Sequence, residues 1–242
     1  MADIQDVSYS KSFYVNSYET DCNQGLKLHC LFSWFSEIAW EHAKLLGVGF
    51  EELSGSDCFW VLAGIMLKIR KLPKWQDNVI LRTWPSGTSG LYFTREFEVI
   101  DKNNNRIASA GSSWVIINRK THKPTLHVKY SFLEKRCGDK LDETSFTKIR
   151  NLQNSVSVGV EIAKYADIDM HDHINNSVYI RWVENILADH NIDKISALKV
   201  QYLNEVKLGD KIELFMHKSD KSINIEAKIN SGIPGFRAEI VL

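Results

Sequence analysis

The densest group of polar side chains in the sequence lies in residues 167–176, which hold two histidines, three acidic residues and two asparagines. Asp169, His171 and His173 alternate along this segment. Imidazole and carboxylate groups in such a cluster are suited to general acid–base chemistry on a bound water. A solvated loop without chemistry has the same composition, so that alternative stays open.

A helix is predicted to begin directly after this cluster, near Asn175. Asn175 or Asn176 can cap it, because asparagine side chains accept hydrogen bonds from N–H groups of the first turn. The remaining N–H groups and the positive end of the helix dipole would face the loop. Such a helix end can stabilise an oxyanion.

Glu205 is the next candidate, because it follows the apolar strand that ends at Leu203. Taken alone, it could be a solvated acid at a strand end. His171 and His173 with Asp169 could also share a metal ion, but the other histidines form no second cluster, so we predict no metal.

Other common catalytic motifs are missing from the sequence. It contains no GxSxG elbow, no P-loop and no GxGxxG fingerprint. No cysteine lies in the polar cluster, and Val206 rather than cysteine follows Glu205. The chemistry that remains is hydrolysis by a water that carboxylate, imidazole or amide groups activate.

Two pairs of similar segments predict an internal duplication. Asp21 and Trp34 are 13 residues apart, as are Asp169 and Trp182, at an offset of 148. Residues 71–81 resemble residues 204–214 at an offset of 133. Chance similarity of short segments is the alternative. The offsets match the candidate residues Asp169, His171, His173 and Glu205 with Asp21, Asn23, Gly25 and Leu72. The first half therefore lacks the site.

Hydrophobic periodicity gives the two halves the same order of elements. Apolar residues recur every three or four positions from Leu28 to Leu46, as in a helix. Alternating strands are predicted around Phe13–Val15–Ser17 and over 156–162. Four strands follow each helix, over 59–70, 78–85, 91–100 and 106–118, and over 196–206, 211–218, 222–229 and 235–242. The sequence thus predicts an α+β protein, in which a long helix packs on a curled antiparallel sheet twice.

The composition and the charge of the chain argue against some classes of function. The 242 residues carry 30 basic and 30 acidic side chains, so the net charge of zero argues against nucleic acid as a partner. The longest apolar run, 59–67, is too short for a membrane span. The N-terminus resembles no targeting signal. Four dispersed cysteines indicate reduced thiols, and we expect a cytoplasmic protein.

The ordered set of motifs resembles the acyl-ACP thioesterase family over nearly the whole chain. The segments that carry the resemblance are Trp60-Val61-Leu62, Arg70-Lys71-Leu72-Pro73-Lys74-Trp75-Gln76-Asp77, Trp84-Pro85-Ser86-Gly87, residues 112–121, residues 167–182 and Gln201-Tyr202-Leu203-Asn204-Glu205. The resemblance implies two tandem hotdog units, an N-terminal one over 1–128, a linker over 129–154 and a C-terminal one over 155–242.

The resemblance also implies hydrolysis of fatty acyl-ACP to free fatty acid and holo-ACP, without a cofactor. The family's catalytic positions fall on Asp169, His171, His173 and Glu205. Most members have asparagine where this chain has His171. Histidine, with a reference pKa of about 6.5, can take up a proton as well as hold a water. Val206, where plant members often have cysteine, favours a water mechanism.

The acyl chain is placed by the resemblance in the first half, with Phe32, Phe35, Trp60, Leu62, Gly64 and Met66 as candidate contacts that could equally be ordinary core. Acidic ACP is expected at one of two basic clusters, Lys68, Arg70, Lys71 and Lys74, or Arg119, Lys120 and Lys123. These lysines could instead protect a strand edge.

Two other functions stay open at this stage. The chain could be an acyl-CoA thioesterase or another hotdog enzyme, such as a dehydratase. It could also be a non-catalytic acyl-binding protein, which the unusual His171 would favour. The sequence sets neither the preferred acyl chain nor the oligomeric state, and a homodimer is one option.

Overall fold

Two units make up the chain in the computed structural model, which describes residues 7–125, 138–141, 144, 147–170, 172–230 and 232–242. The first unit comprises Met1–Lys27 and Trp34–Phe146, and the second comprises Leu28–Ser33 and Thr147–Leu242. Of the predicted linker, residues 129–137, 142–143 and 145–146 lie outside the described residues. The predicted domain boundaries stay a prediction.

The first unit is built on five antiparallel strands in the order β1-β3-β4-β5-β2. Their bounds are Tyr9–Tyr14 (β1), Cys58–Ile69 (β2), Asn78–Ser89 (β3), Tyr92–Ile100 (β4) and Arg106–Asn118 (β5). A polar turn at residues 101–105 joins β4 to β5. There Asp101 Oδ1 accepts hydrogen bonds from the N–H groups of Asn103 and Asn105, each at 2.9 Å. Short turns of this kind keep consecutive strands antiparallel.

Helix α1 covers Leu28–Leu45, close to the predicted range, and ends where Gly47 adopts a positive φ of 74°. Within the first unit, Phe35 of α1 packs against Phe97 of β4 with ring centroids 4.8 Å apart. A second helix, α2, covers only Phe50–Ser54, and such a length shows no periodicity that the sequence could reveal.

The second unit repeats this plan with five antiparallel strands in the order β7-β10-β9-β8-β6. Their bounds are Val156–Ile162 (β6), Ala197–Tyr202 (β7), Lys211–Lys218 (β8), Ser222–Ile229 (β9) and Ile233–Val241 (β10). Helix α3, Asn176–Asp189, contributes Tyr179 and Trp182 to the core, where both rings contact Phe236 of β10. Burial of these aromatic side chains stabilises the unit.

Two strand ends differ from the sequence prediction for local reasons. The first strand begins at Tyr9 and ends at Tyr14, and Ser17–Glu19 forms a 3₁₀ turn. There Glu19 Oε2 accepts a hydrogen bond of 2.9 Å from the Asn16 N–H. Strand β7 ends at Tyr202 rather than at 206, because the N–H groups of Leu203 and Asn204 both donate to the carbonyl of Gly235.

No helix among the described residues is long and apolar enough to cross a membrane. Cys22, Cys30 and Cys58 are free thiols, and Cys137 lies outside the described residues.

A partly buried ion pair between His29 and Glu184 lies at the start of α1, in the second unit. The Glu184 carboxylate accepts hydrogen bonds from the N–H groups of Leu28 and His29 and pairs with His29 Nδ1 at 2.5 Å. Burial lowers the pKa of His29, but hydrogen bonds with Cys30 and Glu184 outweigh it and raise the pKa from 6.5 to about 9. A carboxylate at a helix N-terminus and an imidazolium thus neutralise each other.

We expect this pair to make stability depend on pH on the alkaline side. Because the folded-state pKa of His29 is raised, its contribution is complete below about pH 6.5 and is lost as the pH rises through about 9. The full loss is on the order of 3 kcal/mol. Urea unfolding at pH 6.5 and 9.5 should show this loss in wild type and not in His29→Gln. His122→Asn, at an exposed histidine, serves as the control, and an equal loss in both variants would contradict the assignment.

Candidate functional site

Residues 168–170 and 172–174 belong to a tight turn in which the backbones of Asp169 and His173 are hydrogen-bonded. Ile168 and Ile174 form an isolated antiparallel bridge at its base. The Asp169 N–H donates to the His173 carbonyl at 2.9 Å, and Asp172 closes the turn with a positive φ of 65°. Aspartate tolerates this left-handed conformation better than most residues. The backbone alone therefore fixes both positions.

The same turn is tied to the segment that follows β7. The Ile174 N–H donates to the Val206 carbonyl at 3.2 Å, which brings Glu205 to the mouth of the turn. His173 Nε2 lies 3.2 Å from Glu205 Oε2. The His173 side chain is 28% exposed and that of Glu205 is 41% exposed. A paired carboxylate and imidazole that solvent can reach are able to activate a water.

Of the other two predicted catalytic residues, the structure describes one. Asp169 is described and partly buried, on the same turn as His173. His171 lies outside the described residues. Among the residues that are described, no group of three histidines, cysteines or acids is arranged to hold a metal ion.

Asn175 is the residue that caps helix α3. Its Oδ1 accepts hydrogen bonds from the Ser177 N–H at 2.9 Å and from the Ser177 hydroxyl at 2.7 Å. Asn176 is the first helical residue, and its carbonyl accepts a hydrogen bond of 3.1 Å from the Tyr202 hydroxyl. The first N–H groups of a helix have no partner within it, so this end can receive a negatively charged oxygen.

Tyr179 is a further residue next to the candidate site, and it was not predicted from the sequence. Burial raises the pKa of its hydroxyl, which also hydrogen-bonds the backbone of Val206, and the negative charges of Glu205 and Asp169 raise that pKa further. The signal for Tyr179 was its spacing, because a residue four positions after Asn175 lies on the same face of the helix. Tyr179 therefore links α3 to the segment that carries Glu205.

An equivalent turn occurs in the first unit without the functional side chains. Thr20 and Leu26 form its bridge, the Asp21 N–H donates to the Gly25 carbonyl at 2.8 Å, and Gln24 has a φ of 65°. The Leu26 N–H donates to the carbonyl of Pro73, the residue after Leu72, at 2.9 Å. The backbone pattern matches that of the second unit, whereas Gly25 and Leu72 occupy the positions of His173 and Glu205.

A largely apolar cavity lies in the first unit. It holds about 570 Å³ of space that no protein atom fills, part of it open to solvent. Its walls include Ala43, Val48, Trp60, Phe93, Arg95 and Trp114. Of the six predicted acyl contacts, Trp60 lines this cavity, and the residues that line it do not include Phe32, Phe35, Leu62, Gly64 or Met66. Phe32, Phe35 and Leu62 are buried core residues.

Two solved structures that are similar to this chain over nearly its whole length are named as ACP thioesterases. One from Bacteroides thetaiotaomicron has a TM-score of 0.89 and 26% sequence identity, with 97% of this chain and 97% of that chain covered. The 12:0-ACP thioesterase from Umbellularia californica has a TM-score of 0.85 and 21% identity, with 98% and 97% covered. The chain therefore has an acyl-ACP thioesterase fold, built from antiparallel sheet and few helices.

Two family models match the sequence and indicate the same family as the solved structures. Residues 6–132 match the acyl-ACP thioesterase N-terminal domain, and residues 160–235 match the acyl-ACP thioesterase C-terminal domain. The chain belongs to the acyl-ACP thioesterase family.

Curated relatives are named as hydrolases or thioesterases of acyl carrier protein substrates. An oleoyl-acyl carrier protein thioesterase of Arabidopsis thaliana is 24% identical over 250 residues, which cover 95% of this chain and 69% of that protein. An acyl-[acyl-carrier-protein] hydrolase of Cuphea viscosissima is 26% identical over 198 residues, which cover 74% and 47%. The chain thus spans about half to two thirds of the length of such relatives. Both are chloroplastic proteins, and the cytoplasmic location expected here stays a prediction.

Proposed function

We propose that this chain hydrolyses the thioester of fatty acyl-ACP, releasing a free fatty acid and holo-ACP. The observation that carries the proposal is the 3.2 Å approach of His173 Nε2 to Glu205 Oε2 at the N-terminus of α3. Family membership supplies the substrate class. The arrangement provides a base, a partner that orients it and a helix end for an oxyanion, which are the groups that thioester hydrolysis requires.

In the proposed mechanism, Glu205 takes a proton from a water as the water oxygen attacks the thioester carbon. The carbonyl oxygen becomes an oxyanion and accepts hydrogen bonds at the start of α3, from the N–H of Asn176. The intermediate then collapses, the carbon–sulfur bond breaks, and the thiol of holo-ACP leaves with the proton that Glu205 held. A thiolate is a good leaving group, so no strong general acid is needed.

The remaining polar residues orient this reaction. His173 donates its Nε2–H to the Glu205 carboxylate and fixes the oxygen that faces the water. Asp169, on the same turn, adjusts the local charge. The role that the sequence suggests for His171, which lies outside the described residues, is to help position the water. Asn175 positions the helix end through its bonds to Ser177.

Two tandem hotdog units are the proposed architecture, with the boundaries 1–128 and 155–242 about a linker over 129–154. The matching turns at 20–26 and 168–174 support it, as does the same strand order in both units. A second repeated detail is the side-chain cap of the following turn. The Lys74 N–H donates to Asp77 Oδ2 and the Lys207 N–H to Asp210 Oδ2, each at 2.8 Å.

The first unit is proposed to bind the substrate. Its apolar cavity has the aromatic walls that suit an acyl chain. The basic residues Arg70, Lys71, Lys74, Arg119, Lys120 and Lys123 are exposed and offer charge complementary to acidic ACP. Lys120 is paired with Asp57 at 2.5 Å, and both basic clusters remain candidates.

A turnover assay tests this function directly. The purified chain is mixed with an acyl-ACP series from 8 to 18 carbons and with the matched acyl-CoA series, and the released thiol is quantified. We expect kcat/KM to be at least about tenfold higher for acyl-ACP, with the difference falling as salt rises. Equal rates on acyl-CoA would make the chain a general acyl thioesterase, and binding of acyl-ACP without turnover would make it an acyl-binding protein.

A further inference from the structure

Arg95 puts a positive charge into the wall of the apolar cavity of the first unit. It is the single charged residue among those that line the cavity within the described part of the chain. Trp60 and Phe93 line the same cavity, with their rings edge to face at 5.2 Å. Arg95 is partly exposed to solvent, but a charge in such apolar surroundings is unfavourable unless another group compensates it.

The contacts of Arg95 inside the protein do not compensate this charge. Its Nη1 donates to His42 Nδ1 at 2.9 Å and to Thr83 Oγ1 at 3.1 Å. Both acceptors are neutral, since a His42 nitrogen that accepts carries no proton. A guanidinium has five N–H groups, and these two bonds engage one of its three nitrogens.

No acidic side chain pairs with Arg95 in the residues that the structure describes. Burial lowers the pKa of Arg95 to about 10, and no nearby carboxylate raises it again. The adjacent acid, Glu96, is committed elsewhere, with Oε1 accepting from Ser86 at 2.8 Å and Oε2 from Thr144 at 2.6 Å. By contrast, the buried Arg237 has Glu226 as its partner.

We propose that this cavity binds a free fatty acid by its carboxylate, with the guanidinium of Arg95 as the counter-charge. The aliphatic chain lies against the aromatic walls, and the remaining N–H groups of Arg95 form a charge-assisted pair with the two carboxylate oxygens. The ligand belongs to the chemical class that the proposed reaction releases. The inference goes beyond the proposed function, because the binding requires no hydrolysis.

Equilibrium titration of the full chain with decanoate and with 1-decanol at pH 8 tests the proposal. The two ligands have the same chain and differ in charge, and the tryptophans of the cavity report binding through their fluorescence. We expect decanoate to bind at least about tenfold more tightly than decanol, which corresponds to one charge-assisted interaction. Arg95→Met should abolish this preference, and Arg95→Lys should keep part of it.

Arg82→Met, on the exposed face of β3, is the matched control and should bind both ligands as wild type does. If Arg95→Met does not fold, the comparison of the two ligands on wild type and on Arg95→Lys still decides the question. Equal affinities for decanoate and decanol, no binding of decanoate, or a preference that survives in Arg95→Met would overturn the proposal. None of these results depends on turnover, so the hydrolase assignment is tested separately.

Discussion

Glutamine in place of Glu205 is expected to lower kcat for acyl-ACP hydrolysis by about 10²–10⁴ while leaving the fold intact. The substitution keeps the shape of the side chain and removes the only group placed to take the proton from water in the proposed mechanism. Because Glu205 is 41% exposed, the loss of its charge has little effect on folding. Steady-state release of holo-ACP measures the rate, and circular dichroism checks the fold.

Two comparisons sharpen this test. Asp220→Asn removes a carboxylate from an exposed turn of the same unit and should leave kcat unchanged. His173→Gln should lower kcat through Glu205, so the double variant should be little worse than Glu205→Gln alone, since residues that act as a unit are not additive. A Glu205→Gln enzyme with a near wild-type rate would show that another group is the base.

The largest effect on stability is expected at the buried pair between Glu226 and Arg237. Arg237 Nε donates to Glu226 Oε1 at 2.9 Å, and each side chain is only 9% exposed. Glu226→Gln leaves the guanidinium buried without a counter-charge between β9 and β10. We expect a loss of about 3–5 kcal/mol in the free energy of unfolding, measured by urea denaturation.

The partly exposed pair Lys211–Glu213 is the control, because its partners are 53% and 28% exposed. Glu213→Gln should change stability by less than about 1 kcal/mol. The double change Glu226→Leu with Arg237→Met should recover most of the loss, since two apolar groups leave no buried charge. If Glu226→Gln is no worse than Glu213→Gln, the pair contributes little to stability.

Much of the secondary structure could be predicted from the sequence because its signals are local. The spacing of apolar residues by three and four positions from Leu28 onwards predicts α1. The alternation of Ile223, Ile225 and Ile229 with polar residues predicts β9. The end of β7 could not be predicted, because it depends on hydrogen bonds to Gly235, more than thirty residues away. Helix α2 was too short to leave a pattern.

The candidate site was less accessible to sequence reasoning. The repeat offsets and the family resemblance indicate that Glu205 and the 169–173 turn belong together, whereas no motif in the sequence marks Tyr179 as part of the site. The residues that line the cavity were harder to predict from the sequence than those of the candidate site. In β2 the register shifts between Leu62 and Gly64, so a regular two-residue alternation does not tell which side chains share a face beyond that bulge.

The two equivalent turns, at 20–26 and 168–174, have a consequence for the evolution of the two halves of the chain. Their geometry is fixed by main-chain hydrogen bonds, so the side chains at positions 25 and 72, and at 173 and 205, are free to differ without loss of the loop. Selection at the second turn then acts on the proposed reaction, whereas selection at the first acts on the shape of the turn. The rate of amino-acid substitution at positions 173 and 205 should therefore differ from the rate at positions 25 and 72.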